Sequence, residues 1–249
     1  MELVRDSTNT PVEVVEDTSL RVLAVVTTAK PGVPFHLVRI NSNLGDADYV
    51  IAYQCGFLLR QAALPTEDRW QFRISPTGLH SVERMITGPG GIGPKHNLPR
   101  SAVAELAKHL SSGILVQLRS MPIGVRIDAW ISAEYPSLAE LQAASMKAQC
   151  ATNTESLAPN VRAMTPPTIW RANIALNAAY ASFASQTVHD DALTLPYESV
   201  GFRKEGQAII DVLNEVPDAP SHDRELVDRI GKHLGISDWY EFLPVEDRS

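Results

Sequence analysis

Residues 48–60 read DYVIAYQCGFLLR, and the fold turns on this stretch. Its apolar residues recur with helical rather than strand spacing, and no proline interrupts it before Pro65. The pattern predicts a helix from Ala47 to about Ala63. Asp46 or Asp48 can cap it by accepting from free backbone N–H groups. Tyr53 and Phe57 are four residues apart and so leave the same helical face. Taken alone, such a ring pair on an apolar helix is a core-packing pattern.

Two strands are expected upstream of this helix. RVLAVVTT (21–28) is β-branched, and FHLVRINS (35–42) alternates apolar and polar like a half-buried strand. KPGVP punctuates between them. Downstream, RWQFRIS (69–75) reads as another strand and TGPGGIGPKHN (87–97) as a loop. Helices are then expected over 101–112, stopped by Gly113, and over 125–135, ended by Pro136, with 114–119 ambiguous. Ser137 and Glu140 have capping-box spacing, starting a helix that runs to about Asn153. Residues 166–186 form a helix rich in small residues, and 203–214 another. Ser221 caps HDRELVDRIGKHLG, and the aromatic tail SDWYEFLP packs back on the domain. The expected class is α+β, with a small N-terminal sheet and a mainly helical remainder. The expected organisation is a polar leader (1–19), a main domain (20–194) and a helical C-terminal extension packed on it (195–249).

Of 249 residues, 44% are hydrophobic, enough to bury a core, and the net charge of -7 argues against a non-specific nucleic-acid binder. No apolar run reaches the roughly 20 residues of a membrane span, and the start of the chain lacks a signal-like apolar stretch. Cys55 and Cys150 are not in metal-type spacing. These features suit a cytoplasmic protein with two reduced thiols.

The frame DYVIAxxCGxxLR resembles a group of bacterial zinc-peptidase-like proteins whose helix reads DYIIAHECGHILR. A weaker likeness extends through QLRSMPIGVRIDAWISAEYP and the DRELVDRIGKHLGISDWYEFLP end. The resemblance implies a zincin-like fold of the ImmA/IrrE-like and related HExxH peptidases. In that motif two histidines grip zinc from one helical face, and the glutamate activates the metal-bound water. Here those positions hold Tyr53, Gln54 and Phe57. Tyrosine is a poor zinc ligand unless ionised, phenylalanine cannot ligate, and glutamine has no basic carboxylate. The resemblance therefore implies a degenerate member with no catalytic residues, no metal and no cofactor. It would act by binding a protein or peptide, and could assemble with an active paralogue. Asp128 in RIDAW is the nominee for a relict third ligand, with Glu134 second.

Other chemistry stays open. Cys55 could be a nucleophile if a cation lowered its pKa, with His36 and His80 as candidate partners, although a small buried hydrophobe is its commoner role. An enzyme with a relocated metal site, or a structural or assembly subunit, are the alternatives. GPGGIGPKHN fails as a phosphate loop because Pro94 separates Gly93 from Lys95 and no hydroxyl follows the lysine. Cys55, Arg60, Asn173 and Asn177 are candidate cleft residues. The bland alternative for the two asparagines is structural hydrogen bonding. Trp239, Tyr240 and Phe242 could anchor a partner, but packing onto the domain is the commoner use of such a tail.

Overall fold

The computed structural model describes residues 1–30, 32–44, 47–89 and 91–245. Eleven helices and five strands are described: α1 (Glu2–Thr8), β1 (Val12–Glu16), β2 (Ala24–Thr27), β3 (His36–Ile40), α2 (Ala47–Ala62), β4 (Trp70–Ile74), α3 (Pro76–Thr87), α4 (Ile92–His96), α5 (Arg100–Glu134), α6 (Ala139–Thr154), α7 (Pro159–Met164), α8 (Pro167–Val188), α9 (Leu195–Ser199), α10 (Arg203–Glu215), α11 (Asp223–His233) and β5 (Tyr240–Pro244). The class is α+β and mainly helical. None of the described helices is long and apolar enough to cross a membrane.

The first sheet has the order β1-β3-β2, with β1 parallel and β2 antiparallel to β3. The alternation expected for β3 is present: His36, Val38 and Ile40 are buried, while Leu37 and Arg39 are not. Val14 and Val26 flank Val38 in register, so a row of valines crosses this sheet, which packs on α2. The expected polar leader contains α1 and β1. Val4 of α1 is buried against Cys55 and Leu58 of α2, so apolar packing orders a segment that composition alone marks as polar. The proposed cap Asp46 lies outside the described residues.

The second sheet joins β4 to β5 with Phe72 opposite Phe242 and Ile74 opposite Tyr240. The aromatic tail thus packs back as a strand. Ser75, preceding α3, accepts from the Gly78 N–H at 2.9 Å and donates to the Asp238 carbonyl at 2.6 Å, tying the helix start to the tail.

The centre of the molecule is α5, which at 35 residues is roughly 50 Å long. Two shorter helices were expected here, and Gly113 does not stop the first. A glycine costs about 1 kcal/mol in a helix interior, less than the packing of the adjacent buried Ile114, Leu115 and Leu118 supplies. Pro122 sits inside the same helix, within an unbroken buried run from Met121 to Asp128. The expected loop 87–97 contains α4, closed by Asn97 in the left-handed conformation. Neither Ser137 nor Ser221 acts as the expected cap: both lie in single 3-10 turns, and α6 and α11 have no side-chain cap bond. The alanines of α8 admit α10 closely, with Gly206 seated against Ala178. Residues from Val38 to Tyr240 share the main hydrophobic cluster.

Candidate functional site

Glycines let α2 approach α5 closely. A Cβ at Gly56 would stand 2.5 Å from Ile127 Cγ2, and one at Gly124 would collide with the Tyr53 hydroxyl. This contact sets the direction of the α2 face that carries Tyr49, Tyr53 and Phe57. Their rings meet in succession, tilted for Tyr49 and Tyr53 with centroids 6.0 Å apart and edge-on for Tyr53 and Phe57 at 5.4 Å. Tyr53 and Phe57 therefore point the same way, as their spacing requires.

The pair, with Gln54, lines a cleft of about 860 Å³. One wall is β2 and the residue after it, through Val26, Thr27 and Thr28. The opposite wall is the start of β4, from Arg69 to Phe72. α5 contributes Val116 and Arg119, and Arg60 and Asp223 close another side. A second cleft of about 610 Å³ shares Tyr53, Gln54 and Ser120 with the first and also contains Asn177. Residues 53 and 54 are thus a partition between two hollows.

Asp128 is 1% exposed and does not line either cleft. Its Oδ1 accepts from the Tyr49 hydroxyl at 2.5 Å and from Gln142 Nε2 at 3.2 Å. Burial raises the carboxyl pKa to about 7, against the pull of these two donors. Burial, and then the nearby Asp128 carboxyl, raise both the Tyr49 and Tyr53 phenols well above their ordinary range, so both stay neutral. No three His, Cys, Asp or Glu side chains among the described residues form a group able to hold a metal ion. Glu134 ends α5 on the exposed surface.

Cys55 points away from the cleft, into the small cluster with Val4 and Leu58. Burial raises its thiol pKa, the opposite of activation. His36 Nδ1 accepts from the Ala29 N–H at 3.2 Å, and His80 is exposed beside Glu83. Neither is hydrogen-bonded to Cys55 among the described residues. Asn173 and Asn177 form a closed amide ring with Gln117. Gln117 donates to Asn177 at 2.5 Å, Asn173 to Gln117 at 2.7 Å and Asn177 to Asn173 at 3.2 Å. Asn177 and Gln117 border the second cleft, whereas Asn173 borders neither.

Arg60 lines the cleft and is also a structural anchor. Its guanidinium grips Asp223 in bidentate fashion at 2.9 and 2.7 Å and reaches Asp218 at 2.8 Å. Arg126, 4% exposed, donates to the same Asp223 at 3.1 Å and to the Val216 carbonyl at 2.7 Å. Burial opposes the Arg60 charge, but Asp223 and Asp218 together outweigh it and raise its pKa; for Arg126 burial prevails and lowers it. Two arginines and two aspartates thus neutralise one another at the end of the cleft.

Sequence reasoning missed Tyr49, Trp70, Arg119 and Asp223. Tyr49 had a signal, since it lies four residues before Tyr53 on the same face. The other three come from distant segments. Comparison with protein-family models, with curated proteins and with solved structures finds no match.

Proposed function

We propose that this protein is a non-catalytic, zincin-like binding protein that takes an extended peptide in the cleft over α2. The observation that carries this reading is the placement of Tyr53, Gln54 and Phe57 on the cleft floor beside β2. Among the described strands β2 is an edge of its sheet, and an edge strand offers unpaired N–H and C=O groups to an added strand. Ring faces beside that edge suit apolar side chains of the same segment. The Tyr53 and Gln54 side chains offer no ionised base, so the site is suited to holding a peptide rather than cleaving it.

The ancestry is supported by the facing helix: Tyr53 abuts Gly124, and Asp128 follows one turn later on α5. It is tested by Tyr53→His, Gln54→Glu and Phe57→His combined. A helical histidine pair binds zinc weakly by itself, so the measurement is zinc affinity with and without Asp128→Asn. A loss of about tenfold or more is expected when Asp128 is neutralised, as for other metal-site substitutions. Equal affinities would remove the ancestry and leave the binding reading on the cleft alone. Binding is tested by panning a random octapeptide library against the protein and against Tyr53→Ala/Phe57→Ala. Enriched peptides should protect residues 24–28 from amide exchange and lose affinity for the variant. Enriched peptides that bind both proteins equally would place the contact elsewhere.

A further inference from the structure

The charges in the cleft do not match those of the chain. The protein carries a net charge of -7, yet the cleft is lined by Arg60, Arg69 and Arg119 and by a single carboxylate, Asp223. Asp223 is consumed by Arg60 and Arg126. Arg69 donates through Nε to the Leu64 carbonyl at 3.1 Å and forms no ion pair among the described residues. Arg119 stands over the Trp70 ring, 5.4 Å from its centroid, and forms no ion pair there either. Desolvation by the cleft walls lowers its pKa, while the residue as a whole stays exposed to solvent and so is open to a ligand. An acidic protein thus keeps in this cleft two guanidiniums that have no ion-pair partner among the described residues. Next to them is apolar surface: Val116, one turn before Arg119 on α5, is 66% exposed at the mouth, and Phe57 and Trp70 lie within.

We infer that the cleft recognises a carboxylate carried beside an apolar group, with Arg119 and Arg69 as its partners. Resting on the reading above, the ligand is a peptide segment with an acidic residue next to an aromatic or aliphatic one. The guanidinium fork suits bidentate pairing with a carboxylate, and the Trp70 ring holds Arg119 in place so that little freedom is lost on binding. The acidic surface works against this preference at long range, because it repels acidic peptides and attracts basic ones. Selection of acidic peptides by such a protein must therefore come from a local cationic site. A carboxylate can come from a side chain or from a chain end, and the two give different responses to amidation.

The same octapeptide panning provides the test, read by composition and repeated with Arg69→Gln/Arg119→Gln. Neither arginine is part of an ion pair among the described residues, so the fold should survive, and unchanged thermal unfolding within about 1 kcal/mol checks this. Expected is enrichment of Asp or Glu next to an apolar residue with the native protein, lost with the variant. For one enriched peptide, Glu→Gln or Asp→Asn should weaken binding about tenfold, as loss of a charge-assisted hydrogen bond does. A tenfold loss on C-terminal amidation instead assigns the site to a chain end and keeps the carboxylate claim. Peptides enriched without acidic residues, or bound equally by the variant, overturn this inference and leave peptide binding standing. If nothing is enriched, the peptide reading falls and this inference falls with it.

Discussion

Burial has raised the pKa of the Asp128 carboxyl to about 7 from 3.8. Unfolding returns it to water, where it ionises near its ordinary value. Between these two pH values the folded state holds a proton that the unfolded state has lost, so stability falls as pH rises through the window. The slope from this group alone is about 1.4 kcal/mol per pH unit between pH 4 and 7, and flat above. Asp128→Asn keeps an acceptor for Tyr49 and Gln142 and removes the titration. Urea unfolding from pH 5 to pH 8 should show the variant gaining on the native protein by roughly 2–4 kcal/mol. Parallel pH profiles would mean that Asp128 is ionised in the fold. Glycines on the same helix give a second residue-scale test. Gly113 has no atom within 4 Å of a Cβ position, whereas Gly124 meets Tyr53. Gly113→Ala should therefore stabilise by up to about 1 kcal/mol through helix propensity. Gly124→Ala makes the same gain but must displace the Tyr53 ring at about 1–3 kcal/mol, so it should be destabilising. If both alanines raise the melting temperature equally, α2 and α5 are not in close contact there.

At the scale of elements, α2, α5 and α11 are joined by one polar lock. Asp223 begins α11 and is held by Arg60 from α2 and Arg126 from α5. Replacing Asp223 by alanine leaves the Arg126 guanidinium, 4% exposed, without its nearest carboxylate. Breaking one side of a buried pair costs about 3–5 kcal/mol, because the remaining charge stays desolvated. A denaturation midpoint shifted by less than 1 kcal/mol would show that water reaches Arg126 freely. This lock was not legible in the sequence, since residues 60, 126 and 223 share no motif. The elements it joins were more legible. Residues 47–62 announced a helix because an apolar stripe with period 3.6 has one solution, and 36–40 announced a strand because period 2 does. That same stripe fixed the common direction of Tyr53 and Phe57, which is the part of the candidate site that could be read. α5 was cut in two because a glycine was given its local meaning, while the buried side chains around it decide by tertiary contact. β1 was missed because VEVVE gains a partner only from β3, with which it pairs in parallel.

At the scale of the whole molecule, the aromatic tail closes back on a strand from the first third of the chain. The β4–β5 ladder joins residues 70–74 to 240–244, and the cleft wall formed by Trp70 and Phe72 depends on it. Phe72 packs on Tyr240 and Phe242 with centroids 4.8 and 5.2 Å apart, and Trp70 meets Phe242 edge-on at 5.0 Å. Trp239 is buried, and its backbone stands so close to Gly78 that α3 could carry no larger residue there without moving. Ending the chain after Gly235 would remove these rings together with the partner strand of β4. Losing even one buried aromatic side chain costs about 3–5 kcal/mol. For a chain of this length that is a fall in melting temperature of roughly 6–20 °C. The truncated protein should reach or exceed this loss. Amide exchange should then accelerate first at residues 70–74, which lose their ladder, while α8 and α10 stay protected by their own packing. Peptide binding should be lost with the wall, even at temperatures where the helical part remains folded. Unchanged exchange at residues 70–74 after truncation would show that β4 is held by α5 alone, and the cleft would then be a property of the helices rather than of the closed chain.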